Sequence, residues 1–583
     1  MTWNRAERDF RRLGDWSFER RDDEIAALRW RGRRVLRSVR AVIRDHDWNT
    51  VPLLVDSVVA DGDVLELAVR SDEPAAFIGS VRVELVDGGI TIGMDLQAAQ
   101  SFLTNRIGLV VLHPPLIAGQ EVVVGRADGT TEHSRFPLRI SPHQPMTEIS
   151  ELEWSDEDTL ISVRFDGDVF EMEDQRNWTD ASYKTYNRPL SLPFPYSVAA
   201  GEHITQSVHI TAQADTDSHD AEPCDAVIRL SGGGRFPSIG VAASSAPDPA
   251  PAFAPLGPEL LVELDLASTN WHAALERAAA TGQHLDVRLV LDPEAPDEVA
   301  RAVAALDGRP VVRIAAFHAV GDARHVSDAA STALLRSALA SAGREIPVVG
   351  GSRSHFTEMN REFHRLPDDL DGLVVTLTPL FHSRDTEQLV ESIAIQRLIA
   401  DEMIERAAGL PVHIGPVALA PRFNDVATGP QPAPSRIDLA EGYGAQFTGV
   451  DDPRQRAAEL AAWVIASAAA LARPGVATVV WFEEWGPRGV RNTDGTDLPV
   501  LAAVRELLDL AADDTAELIS GPSPDGFVWA LGSRTPEGGA ILAANIDTAE
   551  RSVRLVVEDE TIALILPPAS FTRIQLPAEE QHE

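Results

Sequence analysis

Lys184 is the only lysine among 583 residues, and apart from histidine every other basic side chain is arginine. An ammonium is a compact charge with a tunable pKa, whereas a guanidinium is a planar fork that stays protonated, so a site built around one cannot simply accept the other. Lys184 sits in the run Glu173-Asp-Gln-Arg-Asn-Trp-Thr-Asp-Ala-Ser-Tyr-Lys-Thr-Tyr186, and three of the four tyrosines (Tyr183, Tyr186 and Tyr196) fall in or just after it. Asn177 and Asp180 offer an amide and a carboxylate to hydroxyl groups, and the indole of Trp178 can stack on a sugar ring. The competing reading has Trp178 and Tyr183 filling a seam between two domains, with Lys184 a surface lysine on a strand.

A second set of reactive types follows apolar runs further along the chain. Gly350-Gly-Ser-Arg-Ser-His-Phe-Thr-Glu-Met-Asn360 carries Arg353, His355, Glu358 and Asn360; Thr378-Pro-Leu-Phe-His382 ends in His382; Trp481-Phe-Glu-Glu-Trp-Gly-Pro-Arg488 carries Glu483, Glu484 and Arg488. Two carboxyl groups at opposed strand ends suit hydrolysis of an acetal or a lactone, since one holds a proton while the other activates water. The expected pair is Glu358 and Glu483, with His382 as a reserve acid–base and Lys184 or Arg353 as the cation facing a developing oxyanion. Asn177, Trp178, Asp180, Arg353, His355, Asn360 and Arg488 are the expected substrate contacts. Alternation along a strand puts Glu483 and Glu484 on opposite faces, and Glu483 is favoured for the inner one.

His382, His413 and a glutamate are zinc-type ligands by chemistry, but no histidine pair shows the helical i, i+4 spacing of a zincin. No metal site is therefore assigned, a divalent metal stays compatible with the sequence, and no cofactor is expected. Serine-nucleophile chemistry is disfavoured because Gly350-Gly-Ser352 lacks the trailing glycine of a nucleophile elbow.

These groups need a scaffold. From about residue 13 to 240, short alternating segments such as Val64–Arg70, Val81–Val86 and Leu160–Phe165 predict strands. Asp61-Gly62, Asp87-Gly88, Asp128-Gly129 and Asp166-Gly167 predict hairpin turns between them, the whole forming a β-sandwich over residues 1–241. Residues 242–258, rich in Ala, Pro and Ser, read as a linker. From 259 to 512, strand and helix patterns alternate: strands are expected at 260–266, 284–291, 310–317, 347–351, 373–378, 411–416, 445–450 and 476–483. Eight such units predict a (β/α)8 TIM-type barrel, whose reactive groups gather at the C-terminal strand ends. Asp452-Pro453 is expected to start the apolar helix Arg456 to Leu471. Residues 513–583 return to short strands and predict a small C-terminal β domain.

Composition narrows the function. The 89 acidic and 51 basic side chains give a net charge of −38, which repels nucleic acid and anionic membranes and favours a neutral small-molecule ligand. The single cysteine, Cys224, excludes an internal disulfide. The charged start and the lack of a run of about 18 apolar residues point to a cytoplasmic protein.

Four segments together resemble the D-apionate lactonase family: Asn105-Arg-Ile-Gly-Leu-Val-Val-Leu-His-Pro114, Phe170 to Tyr186, Gly350 to Asn360, and Trp481 to Gly489. The second is the specific one. This resemblance covers nearly the whole chain and implies an N-terminal β domain, a TIM-type barrel and a small C-terminal β domain. It also implies hydrolysis of the sugar lactone D-apionolactone to D-apionate in bacterial apiose breakdown. The runner-up is a glycoside hydrolase using a carboxylate pair; a third reading is a non-catalytic carbohydrate-binding protein.

Overall fold

The computed structural model describes residues 3, 7–72, 75–214, 226–292, 294–423, 426, 439–444, 451–558 and 560–578. Cys224 and the expected strand 445–450 lie outside the described residues.

Residues 8–214 form one extended antiparallel assembly of 18 strands around its own apolar core. Gly62, Gly88 and Gly129 sit at φ 55°, 85° and 84° in turns that close hairpins, a backbone region that side-chain-bearing residues rarely adopt. Asp166-Gly167 does not close a hairpin. The strands on either side of it, Thr159–Asp166 and Phe170–Asp174, both pair with Met146–Asp156, and the second continues onto Tyr183–Asn187.

The barrel has eight parallel staves: Ser238–Ala242, Glu259–Asp265, His284–Leu291, Val311–His318, Gly350–Gly351, Leu373–Leu377, Val412–Val417 and Val476–Glu483. Its first stave, Ser238–Ala242, pairs with both the second and the eighth and closes the ring. The sequence reading placed that segment in the sandwich and sought the missing stave at 445–450. Five residues with a central glycine carry too little periodicity to announce a stave. The supposed linker, residues 243–258, holds no helix and instead forms the loop that follows this first stave.

The strand Ala226–Arg235, also assigned to the sandwich by sequence, joins the C-terminal sheet. It lies parallel to Arg551–Val557 and antiparallel to Glu517–Ser520. The seven-stranded C-terminal sheet thus draws one strand from the chain ahead of the barrel. Helix Leu460–Leu471 is buried on every face because one side lies on the barrel and another on this sheet. It starts later than the sequence suggests, since Pro453–Arg456 is a separate 3-10 turn capped by Asp452, whose carboxylate accepts from the Arg454 N–H at 2.9 Å. Among the described residues, no helix is long and apolar enough to cross a membrane.

Candidate active site

The C-terminal ends of staves one, two, seven and eight line a small cavity that is open to solvent on one side. Ser244, Ser245, Glu263, Asp265, Arg422, Tyr443, Glu483 and Arg488 bring its polar groups.

Glu483 ends the eighth stave. Phe482, just before it, is buried yet sits at φ 52°, a left-handed conformation costly for a bulky side chain, and the stave's register with the first shifts at Gly240–Ala242. As a result both Phe482 and Glu483 line the cavity, which a regular strand forbids. The Glu483 carboxylate accepts from the Ser245 N–H at 3.0 Å and from the Ser245 hydroxyl at 2.8 Å, and it forms an ion pair with Arg488 at 3.1 Å. Arg488 also donates to Ser245 Oγ.

Glu263, inward on the second stave, accepts from Arg353 Nε at 3.0 Å and Nη2 at 2.5 Å, and from Arg422 Nη1 at 3.0 Å. Burial works to raise its pKa, but the two guanidiniums prevail and hold the carboxyl well below the usual range. Arg422, which also donates through Nη2 to the Arg353 carbonyl, lines the cavity, whereas Arg353 does not and contacts His325 Nδ1 at 2.8 Å.

Glu484 leaves the eighth stave on the other side. Its N–H donates to the Ala242 carbonyl at 2.8 Å, and its buried carboxyl oxygen Oε1 has no hydrogen-bond partner among the described residues. Burial, with Glu483 adding to it against Arg277 and Arg491, pushes this carboxyl up to about 7. A raised carboxyl binds its proton more tightly in the folded state, so stability falls as pH rises through the interval from about 4.5 to about 7 and then levels. The change is about 3 kcal/mol. Glu484→Gln is accordingly expected to raise the Tm relative to wild type more at pH 8 than at pH 5; the same increment at both pH values would contradict it.

A second polar cluster forms where the sandwich rests on the rim of staves five and six. Lys184 stands opposite Glu173 on adjacent strands, and its ammonium pairs with Glu173 Oε2 at 2.5 Å while Trp178 Nε1 donates to Oε1 at 2.9 Å. Trp178 stacks on Phe381 at 4.2 Å and meets the His355 ring edge-on at 5.2 Å. His382 Nδ1 lies 2.8 Å from Asp180 Oδ2. Burial lowers the pKa of both Lys184 and His382, against the pull of Glu173 and Asp180 respectively. Breaking such a pair strands a charge, whereas replacing both members with apolar groups is often neutral. Lys184→Met should therefore lower the Tm strongly and Lys184→Met/Glu173→Leu should recover most of the loss in thermal unfolding; an equally unstable double variant would contradict this reading of the pair.

The sequence-predicted residues thus divide. Glu483 and Arg488 meet in the cavity, and Arg353 supports it through Glu263. Lys184, Trp178, Asp180, His355 and His382 form the seam cluster and do not line the cavity. Asn177 and Asn360 do not line the cavity: Asn360 Nδ2 donates to Asn177 Oδ1 at 2.8 Å, Asn177 Nδ2 donates to the Ser141 carbonyl at 2.5 Å, and both side chains are buried. Glu358 does not join Glu483 in lining the cavity. It occupies the third position of the short helix Phe356–Glu362, where Oε2 accepts from Ser354 Oγ at 2.6 Å and the His355 N–H at 3.1 Å, a capping role.

His413 is buried near the start of the seventh stave beside Thr478, and burial pushes its pKa down to about 3. It is far along the barrel from His382, which follows the C-terminal end of the sixth stave. Among the described residues, no group of His, Cys, Asp or Glu is arranged to hold a metal ion. Sequence reasoning missed Glu263, Asp265, Arg422, Tyr443 and Ser245. The first two end a stave and could have been found by the strand-end rule, whereas Ser245 was hidden in the supposed linker.

A barrel flanked by β domains, with carboxylates and guanidiniums meeting at its C-terminal mouth, has the architecture of a TIM-barrel enzyme. The model of the D-apionate lactonase N-terminal domain matches residues 2–215, and that of the D-apionate lactonase TIM barrel domain matches residues 241–512. The chain belongs to the D-apionate lactonase family, and with it to the lactone-hydrolysing carboxylic ester hydrolases. It is 28% identical to a D-apionate lactonase of Brucella anthropi over 558 residues, 87% of this chain and 88% of that protein. Among solved structures, it matches a GH30 endoxylanase from Clostridium papyrosolvens at 11% identity and TM-score 0.39, covering 61% of this chain and all of that one. A β-arabinopyranosidase matches at 11% identity and TM-score 0.28, covering 97% of each. Likeness at that level has no bearing on activity.

Proposed function

We propose that the chain opens D-apionolactone to D-apionate in the cavity at staves one, two, seven and eight, with Glu483 as general base. The observation that carries this reading is the Glu483 carboxylate facing the cavity with the guanidiniums of Arg488 and Arg422 on the same walls. Water attacks the lactone C1 carbonyl as Glu483 takes its proton, and the carbonyl oxygen becomes an oxyanion facing the guanidiniums. The tetrahedral intermediate then collapses, the ring C–O bond breaks, and Glu483 returns the proton to the departing ring oxygen. The product is the hydroxy acid, which releases its carboxyl proton to solvent and leaves as the carboxylate. The relative from Brucella anthropi, named a D-apionate lactonase, supports the choice of substrate.

Glycosidase chemistry needs a carboxyl pair, one member of which carries a proton to the leaving oxygen. Beside Glu483 the cavity holds Asp265 and Glu263, and the latter is held ionised by its arginine clamp and is unsuited to be that member. Acid release from D-apionolactone, from unbranched pentono- and hexonolactones and from aryl glycosides, corrected for spontaneous hydrolysis, tests the proposal. The highest kcat/KM is expected for D-apionolactone; equal rates across the lactones, or turnover of glycosides alone, would overturn it.

A further inference from the structure

We propose that Arg277, which does not line the cavity, is a positioning residue for the reaction: it holds the Ser244–Asp248 loop so that Ser245 orients the Glu483 carboxylate. The inference rests on the reading of Glu483 as general base.

The loop after the first stave has no helix to anchor it, and its register at the cavity is set by side chains from elsewhere. Arg277, on helix Trp271–Ala279 after the second stave, donates to the Ser244 carbonyl and, at 2.8 Å, to the Ala246 carbonyl, so it bridges the two residues that flank Ser245. A third contact reaches Asp248 Oδ1 at 3.3 Å. The guanidinium lies over the ring of Tyr443 at 4.2 Å and that of Trp485 at 5.2 Å. Those rings are themselves tied to the loop: the Tyr443 hydroxyl donates to Asp248 Oδ2 at 2.5 Å, its N–H donates to the Ser245 carbonyl at 2.9 Å, and Ser244 Oγ donates to the Trp485 carbonyl at 2.7 Å.

Ser245 then gives both its N–H and its hydroxyl to the two oxygens of Glu483. The chain of contact runs from Arg277 through two carbonyls to one serine and one carboxylate. A planar fork with several donors and a stacking face is required, which a lysine cannot reproduce. Loss of this bracket leaves the guanidiniums of Arg422 and Arg488 on the cavity walls while Ser245, and with it Glu483, loses its fixed orientation, and a misplacement of about 1 Å costs on the order of 100-fold in rate.

The test is kcat and KM for D-apionolactone opening by Arg277→Ala and Arg277→Lys, with Glu483→Gln and thermal unfolding alongside. Arg277→Ala is expected to lose about 10- to 100-fold in kcat with KM within about threefold of wild type. Arg277→Lys, which reaches one carbonyl only, should fall between the two. Millimolar guanidinium should restore part of the kcat of Arg277→Ala and none of that of Glu483→Gln. Wild-type kcat in Arg277→Ala beside an inactive Glu483→Gln would overturn the positioning role alone, whereas an active Glu483→Gln would overturn the general-base reading instead. Should Arg277→Ala fail to fold, Arg277→Lys decides: wild-type kcat overturns the proposal and a selective loss of kcat upholds it.

Discussion

Glu483→Gln is expected to reduce kcat for lactone opening by about 10²- to 10⁴-fold, the range that a positioned general base supplies, with KM changed only a few-fold. The amide keeps the volume of the carboxylate and can still accept from Ser245, so the cavity retains its shape. What is lost is the ability to take a proton from water and return it to the ring oxygen. Arg488 also loses its ionic partner and is freed toward the cavity, which favours binding of the carbonyl and keeps the effect off KM. Initial rates at saturating lactone, after subtraction of the uncatalysed reaction, read the result directly. A loss below about tenfold would remove Glu483 from the base role.

Glu263→Gln is expected to act on stability as well as rate. Glu263, Arg353 and Arg422 have side chains only 13%, 9% and 10% exposed, so neutralising the glutamate leaves two guanidiniums facing each other away from water. Removing one partner of a buried ion pair costs about 3–5 kcal/mol. For a barrel-sized cooperative unit that is a fall in Tm on the order of 10 °C. Because the native carboxyl lies below its ordinary value of about 4.3, the stabilisation it brings is fully present above that pH and drains away as the solution is acidified further. Wild type and Glu263→Gln should therefore differ most near neutrality and converge in acid. A constant difference across that range in thermal unfolding would show that the clamp is not electrostatic.

Periodicity made the barrel legible because seven of its staves are apolar runs or strand-end motifs spaced by helices. The remaining one, the first stave, was misplaced for a local reason. Ser238–Ala242 is short, is followed by an Ala/Pro/Ser-rich loop and not a helix, and so resembles the approach to a linker. That one displacement concealed Ser245 and Asp248 from any search of strand ends. Alternation put Glu483 and Glu484 on opposite faces without choosing between them, and the inward aim of the favoured Glu483 depends on the left-handed backbone at Phe482, which no periodicity announces.

Lys184 was singled out by its rarity, and its burial against Glu173 explains why that position tolerates a compact ammonium. Asn177 and Asn360, expected as substrate contacts, are likewise buried at the sandwich–barrel seam and bonded to each other. Glu358 shows the opposite limit: a glutamate three residues beyond a helix start is as well suited to capping as to catalysis, and only the hydrogen bonds distinguish the two. The strand-end rule could have pointed to Glu263, but not to its clamp, because its partners Arg353 and Arg422 are 90 and 159 residues away in sequence.

The most direct measurement is the position of a bound lactam isostere of D-apionolactone, which cannot be hydrolysed as the ester can, in a crystal of the Glu483→Gln variant. The account predicts its ring in the cavity with the carbonyl oxygen toward Arg422 and Arg488 and the carbonyl carbon facing residue 483. A ring held instead against Trp178, Lys184 and His382 at the seam would contradict it.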